Sequence, residues 1–186
     1  MNPIIPITRK DPFDDPAYLF ELKYDGFRGL ADTINSRILS KDKNRMKRFE
    51  GLLDTLPKGY VFGGEIVALD ETGRPQFNDL LFGRRLPSYV AFDVLMVDGD
   101  DVTHLPLKQR KSILDKIARG YRLEKSEPFF AEGRPLFNAV CRLDLEGIVA
   151  KRLGDPYGPK TKWFKILNPG YSQKVDRAEL FERRYG

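Results

Sequence analysis

The stretch that organises this sequence is KYDGFR, residues Lys23–Arg28. It follows the apolar run Tyr18–Leu22, whose composition is typical of a β-strand. A lysine that leaves a strand into a glycine-containing turn can be held rigidly and used as a nucleophile. Gly26 lets the backbone pass close to a ligand, and Arg28 offers a planar fork for ribose or phosphate oxygens. Taken alone, the pattern fits a solvated strand end with mixed charges equally well.

Four later segments decide between these interpretations. They are FGGEIV (Phe62–Val67), YVAFDVL (Tyr89–Leu95), EGIVAK (Glu146–Lys151) and WFKIL (Trp163–Leu167). In this order and spacing they resemble the motifs of the ATP-dependent DNA ligases, and more broadly those of the ligases and mRNA capping enzymes that carry a nucleotide on a lysine. The resemblance runs from about Phe20 to Leu167 and is closest to the ligase modules of bacterial end-joining systems.

Strands and helices interleave without regular βαβ alternation, which predicts a mixed, largely antiparallel α+β domain. The resemblance implies the ATP-grasp-like nucleotidyltransferase domain of DNA ligases and capping enzymes, with two packed antiparallel sheets, flanking helices and the nucleotide in the groove between them. We expect an irregular lead-in over residues 1–17, the adenylation domain over 18–175 and a short C-terminal helix over 176–186. Only 19 residues follow Leu167, so we expect no OB-fold domain.

The apolar periodicity also predicts the individual elements. The predicted strands cover 18–24, 28–34, 36–40, 60–69, 88–97, 146–152 and 162–167. The predicted helices cover 46–56 and 106–118, and a further helix begins near Pro135.

Composition limits the class of partner and compartment. The net charge of +5 suggests an anionic partner, although acidic residues are numerous too. The single cysteine, Cys141, excludes an internal disulfide and fits a reducing compartment. No apolar run approaches the roughly 20 residues of a membrane span. We therefore expect a cytoplasmic protein of the bacterial nucleoid, with no membrane partner.

The resemblance implies that Lys23 attacks the α-phosphorus of ATP, releasing pyrophosphate and leaving a lysine–AMP phosphoramidate. A protonated amine cannot attack, so a nucleophilic lysine needs nearby cations that lower its pKa. The resemblance assigns Lys151 and Lys165 to this catalytic role. Phosphoryl transfer also calls for Mg²⁺ or Mn²⁺, which take oxygen ligands. Glu65 and Glu146 match the acidic metal positions of the family.

The same resemblance implies how the nucleotide is held. Phe92 matches the aromatic that stacks on adenine, although an ordinary core phenylalanine would give the same pattern. Glu21 matches a carboxylate that accepts a hydrogen bond from the amino group of adenine, and Arg28 matches the residue that holds the ribose. Lys41 stands where ligases usually have arginine. The implied nucleotide-binding residues are Glu21, Leu22, Arg28, Lys41, Glu65, Phe92, Glu146, Lys151 and Lys165.

Two positions depart from the pattern of the family. Gly63 stands where most ligases have aspartate. Leu167 replaces the second lysine of the last motif, so that one α-phosphate contact is missing unless Lys160 or Lys162 substitutes.

The sequence therefore predicts an ATP-dependent DNA ligase adenylation domain that forms Lys23–AMP and seals 5′-phosphate nicks in DNA repair. Its expected partners are ATP, nicked or broken duplex DNA, and an end-joining or OB-fold protein. We expect DNA to meet a basic face made of Lys108, Arg110, Lys111 and the segment 160–165. The alternatives are an RNA ligase or capping-type nucleotidyltransferase, and a non-catalytic remnant that binds nucleotide or DNA beside a partner.

Overall fold

The computed structural model describes residues 2–174, which form ten strands, three α-helices and one 3₁₀ helix. The strands are β1 Ile7–Thr8, β2 Asp15–Leu22, β3 Phe27–Asp32, β4 Arg37–Leu39, β5 Tyr60–Val67, β6 Ser88–Val97, β7 Asp100–Asp101, β8 Phe129–Ala131, β9 Gly147–Arg152 and β10 Phe164–Leu167. The helices are the 3₁₀ helix Lys47–Thr55, α1 Phe77–Phe82, α2 Leu107–Tyr121 and α3 Gly133–Arg142.

The strands form two five-stranded sheets. The first sheet has the order β1-β10-β9-β2-β8, and the second has the order β4-β3-β5-β6-β7. Every neighbouring pair is antiparallel except β1 and β10, which run parallel. Two sheets with flanking helices confirm the predicted α+β class.

Separate apolar clusters hold the sheets to each other and to the helices. Helix α2 and the 3₁₀ helix cover one face of the second sheet, with Leu114 and Leu53 among the buried residues. Helix α3 covers the first sheet through Val140. A smaller cluster joins Phe92 and Trp163 and brings together the inner faces of both sheets. Strand β6 is buried without interruption from residue 89 to 95, because it is covered on both faces.

The structure corrects the predicted lead-in over residues 1–17. The backbone N–H of Ile7 donates to Trp163 at 2.8 Å, and that of Arg9 donates to Lys165 at 2.9 Å. These bonds add β1 to the edge of the first sheet, and β2 begins at Asp15 rather than at residue 18. Pairing with a strand 157 residues away, in the register Ile7↔Phe164, has no local signal in the sequence. Residues 7–17 therefore belong to the folded domain.

Other differences are smaller. The segment predicted as a helix over 46–56 is a 3₁₀ helix. The short elements β7, β8 and α1 were not predicted. The predicted helix over 176–186 lies outside the described residues. No helix among residues 2–174 is long and apolar enough to cross a membrane.

Candidate active site

Lys23 lies immediately after β2, where the ends of three strands meet. Its backbone N–H donates to the carbonyl of Gly147 at 2.9 Å, which ties the residue to the first position of β9. A Cβ on Gly147 would lie 2.3 Å from the carbonyl oxygen of Ile166, so only glycine allows β10 to approach this closely. The Lys23 Nζ lies 2.7 Å from Glu146 Oε1. The backbone of Lys23 is therefore fixed by a hydrogen bond to β9, and its amine is held by the Glu146 carboxylate.

A cavity of about 280 Å³ opens beside Lys23. Besides predicted site residues, its walls include Tyr24, Ser126, Val149, Trp163 and the N-terminal segment 4–6. We call it the main cavity. The predicted site residues that it brings together are Glu21, Leu22, Lys23, Arg28, Lys41, Glu65, Phe92, Lys151 and Lys165.

Aromatic rings form one wall of the main cavity. Phe92 and Trp163 meet edge to face, with ring centroids 5.9 Å apart. The Lys151 Nζ lies 4.3 Å from the Phe92 centroid and 4.2 Å from the Trp163 centroid, and the Arg28 guanidinium lies 4.1 Å from the Phe92 centroid. Cations at these distances are attracted by the ring faces. Phe92 is also a member of the cluster between the sheets, so it is both a core residue and a wall of the cavity.

Glu21 is the centre of a buried ion cluster behind this wall. Only 1% of the residue is exposed. Its Oε2 accepts a hydrogen bond from Lys151 at 2.5 Å, and its Oε1 accepts one from Lys111. Burial alone would raise the pKa of Glu21, but the two ammonium groups hold it below its usual range. Burial, opposed by Glu21, lowers the pKa of Lys151 to about 8. The carboxylate at the base of the cavity is therefore ionised.

A second buried pair supports the strand that carries Phe92. Asp93 accepts two hydrogen bonds from the Arg110 guanidinium, at 2.9 Å and 3.0 Å, and neither side chain is exposed. Arg110 also donates to the carbonyl of Asp155 at 3.2 Å. Arg110 and Lys111 face the interior, so the prediction that they belong to a basic DNA-binding face is wrong. Their partners lie 17 and 90 residues away along the chain, which is why the local charge pattern suggested a surface.

Glu146 lies in an adjoining cavity, also of about 280 Å³, on the other side of Lys23. We call it the adjoining cavity. Lys23 and Lys165 line both cavities. The other residues that line the adjoining cavity are Asp25, Leu167, Asn168, Tyr171, Gln173 and Lys174.

The segment Asn168–Lys174 folds back over the Glu146 end of the site. The Asn168 N–H donates to the carbonyl of Glu146 at 2.9 Å, and the Tyr171 hydroxyl donates to Asp25 Oδ2 at 3.0 Å. Burial and the neighbouring Asp25 carboxylate raise the pKa of Tyr171 above its usual range. Sequence reasoning missed this segment because it follows the last motif and carries no motif of its own.

Two glycines of β5 allow aromatic rings to approach the strand closely. A Cβ on Gly63 would lie 3.3 Å from the Phe92 ring and 3.8 Å from Arg28 Nη2, so the departure at this position borders the main cavity. A Cβ on Gly64 would lie 2.4 Å from the Tyr89 ring, which makes a side chain there impossible without moving Tyr89. Glu65 follows and lines the cavity.

The acidic side chains are few. Among residues 2–174, no group of three or more histidine, cysteine, aspartate or glutamate side chains is arranged to hold a metal ion. Glu65 lines the main cavity together with Glu21, and Glu146 lines the adjoining cavity together with Asp25. Such a donor set fits magnesium, which binds one or two carboxylates and completes its shell with water and substrate phosphates.

Known DNA ligases and a DNA ligase-like protein resemble this chain in sequence or structure. Residues 9–166 match the family model described as ATP dependent DNA ligase domain. The SPbeta prophage-derived DNA ligase-like protein LigB of Bacillus subtilis is 29% identical, over 93% of this chain and 69% of that protein. The multifunctional non-homologous end joining protein LigD of Pseudomonas aeruginosa is 30% identical, over 80% of this chain.

The chain spans only 20% of the length of that LigD protein. Among solved structures, a mycobacterial DNA ligase D complexed with ATP and MES superposes with a TM-score of 0.78 at 22% identity, covering 89% of this chain and 60% of that chain. This likeness shows that the two-sheet fold is that of the ligase domains.

Proposed function

This chain belongs to the family of ATP-dependent DNA ligase domains, and we propose that it forms a covalent lysine–AMP intermediate at Lys23. The observation that carries the proposal is the place of Lys23 between two cavities. One cavity has an aromatic wall and a buried carboxylate, and the other holds Glu146, whose Oε1 lies 2.7 Å from the Lys23 amine. Lys165 lines both cavities, as expected for a residue that contacts phosphate next to the nucleophile.

The main cavity provides what an adenosine needs. Phe92 offers an apolar ring for stacking, and base–aromatic stacking is worth about 1–3 kcal/mol. Glu21 is ionised and can only accept hydrogen bonds, which suits the amino group of adenine and not the carbonyl of guanine. Arg28, whose guanidinium lies over the Phe92 ring, and Lys41 suit the ribose and phosphate oxygens, and Leu22 contributes apolar surface.

The reaction joins the Lys23 nitrogen to the α-phosphorus and breaks the bond to the β-phosphate oxygen, which leaves with pyrophosphate. The amine gives up a proton before or during the attack, and the carboxylate in contact with it is that of Glu146. Lys151 and Lys165 offset the phosphate charge that accumulates.

Magnesium or manganese would be held by Glu146 and Glu65 together with substrate oxygens and water, and would neutralise charge on the triphosphate. We propose these two carboxylates because they stand at the acidic metal positions of the ligase motifs, whereas Glu21 is occupied by Lys111 and Lys151, and Asp25 accepts a hydrogen bond from Tyr171.

We further propose that the AMP is passed to a 5′-phosphate in nicked or broken duplex DNA, so that the chain acts in DNA repair. The names of the LigB and LigD relatives support this acceptor, and those of the LigD proteins suggest an end-joining partner; an OB-fold protein is the other partner that we propose. We assign the adenylation domain to β1 through residue 175, and place the protein in the bacterial cytoplasm at the nucleoid.

The half-reaction is tested with α-labelled ATP and magnesium, followed by denaturing electrophoresis. We expect one acid-labile, base-stable AMP per chain, absent in Lys23→Ala. Lys162→Ala is the matched control, because Lys162 lies along a separate cavity beside residues 2–7. Label that persists in Lys23→Ala, or that maps to another residue, contradicts the assignment.

The acceptor is tested by offering pre-adenylated protein a nicked DNA duplex, a nicked RNA duplex and no nucleic acid. We expect loss of the label and sealing with DNA. Sealing of RNA in preference to DNA would identify an RNA ligase, and a stable label in all three arms would show that the acceptor is another molecule.

A further inference from the structure

The adjoining cavity carries an excess of positive charge. Lys23 is paired with Glu146, and Asp25 accepts the hydrogen bond of Tyr171. Within residues 2–174, neither Lys165 nor Lys174 has a carboxylate at ion-pair distance. Two ammonium groups on the wall of one cavity repel each other and favour an anion between them.

The position of Lys174 is fixed by contacts on either side of the preceding turn. The Ser172 N–H donates to Asp144 Oδ1 at 2.9 Å, and the Gln173 side-chain amide donates to the carbonyl of Pro75 at 3.2 Å. The Lys174 N–H donates to the carbonyl of Tyr171 at 3.3 Å. These bonds bring Lys174, an exposed residue, to the adjoining cavity that Lys165 and Leu167 of β10 also line.

Residues two apart on a strand share a face, and both Lys165 and Leu167 of β10 line the adjoining cavity. The wall therefore has one cation and one apolar side chain from β10, and a second cation from Lys174. By contrast, Lys160 and Lys162 line the separate cavity beside residues 2–7. Of the lysines that the sequence or the structure offers, Lys174 is the one placed to supply the charge absent at Leu167.

We propose that Lys174 is a phosphate-binding residue, and that it acts with Lys165 to bind the polyphosphate chain of ATP in the adjoining cavity. The inference rests on the proposed function, since ATP is the polyphosphate that reaches Lys23. Lysine suits this ligand because its ammonium is a compact point charge with three donors. A phosphate chain offers several oxygens to such donors, whereas a lone carboxylate offers two.

The first test measures binding without chemistry. Isothermal titration with inorganic tripolyphosphate, ATP and adenosine is carried out on the wild type, on Lys174→Met and on the control Lys162→Met. Hydrogen bonds to charged groups are among the stronger ones, so we expect Lys174→Met to bind tripolyphosphate and ATP roughly tenfold more weakly. We expect adenosine binding to be unchanged, and the control to match the wild type.

Equal affinity of Lys174→Met and wild type for tripolyphosphate overturns the proposal. An equal loss for adenosine also overturns it, because the substitution would then act through the fold rather than through charge.

The second test moves the cation. In the double variant Lys174→Met/Leu167→Lys, strand alternation directs the new ammonium into the same cavity. We expect tripolyphosphate and ATP affinity to recover to within about threefold of the wild type, because the cavity regains its second ammonium group beside Lys165. No recovery, with adenosine binding intact, would show that charge in this cavity is not what binds the anion.

Labelling of Lys23 in the same variants separates the two proposals. Tripolyphosphate binding without any Lys23–AMP supports the anion site and removes the proposed function. Full labelling with no effect of Lys174→Met on affinity removes the anion site and leaves the proposed function standing.

Discussion

At the main cavity, the buried charges of Glu21, Lys111 and Lys151 all meet opposite charges from the same chain, whereas at the adjoining cavity Lys165 and Lys174 have no such partner within residues 2–174. The first region is assembled before any ligand arrives. In the second region, a bound anion would reduce the repulsion between the Lys165 and Lys174 ammonium groups. The chain thus fixes the part of the site that recognises a base, and leaves charge available where we propose that phosphate binds.

This difference between the two cavities predicts whether a substitution changes folding or binding. Dipoles and charges that are fixed in advance need no rearrangement during reaction, but breaking a buried pair leaves an uncompensated charge. We therefore expect changes on the base side to affect folding as well as binding. Changes on the phosphate side should affect binding and rate while the fold is retained.

The largest effect is expected from Asp93→Asn. It leaves the Arg110 guanidinium buried without its carboxylate, and breaking a buried pair in this way costs about 3–5 kcal/mol. Urea unfolding monitored by circular dichroism measures the free energy of unfolding. Glu50→Gln, at the exposed ion pair with Arg45, is the control and should change little. If Asp93→Asn lowers the free energy of unfolding no more than this control does, the buried charges on the base side do not stabilise the fold as we expect.

Glu21→Gln should destabilise the protein by less than Asp93→Asn does. A buried lysine left without its carboxylate can release its proton, whereas an arginine cannot. The pKa of Glu21 is held below its ordinary value of 4.5 in the folded state. Its contribution to stability is therefore fully present above that pH and is lost as the pH falls through the lower, folded-state value. Urea unfolding of both proteins across this range should show the difference shrinking in acid. A pH-independent difference would contradict an ionised Glu21.

Phe92→Leu should weaken ATP binding by about 1–3 kcal/mol, since it removes the ring on which a base stacks and keeps an apolar side chain of similar size. Equilibrium binding of ATP measures the loss. Phe27→Leu makes the same chemical change among Phe49 and Phe77, outside the cavity, and should leave ATP affinity unchanged. If both variants bind ATP like the wild type, Phe92 is a core residue only.

The smallest effect separates surface charge from buried charge on helix α2. Lys108 is exposed and Lys111 is buried against Glu21. Lys108→Ala should reduce the slope of log affinity for duplex DNA against log salt by about one unit, whereas Lys111→Met should leave the slope unchanged. The measurement is a DNA-binding titration at several salt concentrations. A lower slope for Lys111→Met would show that Lys111 contacts DNA.

Much of this site could be predicted because its residues lie in short motifs on strands. The strand ending at Leu22 and the turn after it could be predicted from local sequence, and the resemblance to the ligase motifs assigned Lys23 and Lys165 to the site. The supporting partners could not be predicted in the same way. Glu21 and Lys111 are separated by 90 residues, and Tyr171 and Asp25 by 146. A basic residue on a helix has the same pattern whether it meets solvent or a buried carboxylate, and only the packing of α2 decides between them.

The fold shows the same division. Strand β6 was predicted at its observed bounds because a long apolar run has few other structures open to it. The two-residue strand β1 exists only through pairing with the distant β10, and the two-residue strand β7 only through pairing with the preceding β6. The six-residue helix α1 is too short for an apolar period to be recognised.

Trp163 gives the molecule a natural optical reporter. It is the only tryptophan in the 186 residues, and its ring lies on the wall of the main cavity with the Lys151 ammonium 4.2 Å from its centroid. Indole emission responds to nearby charge and to stacking partners, so all tryptophan fluorescence of this chain originates beside the proposed adenosine pocket. Occupation of that pocket, and the later departure of AMP, should therefore be visible in real time from the unlabelled protein.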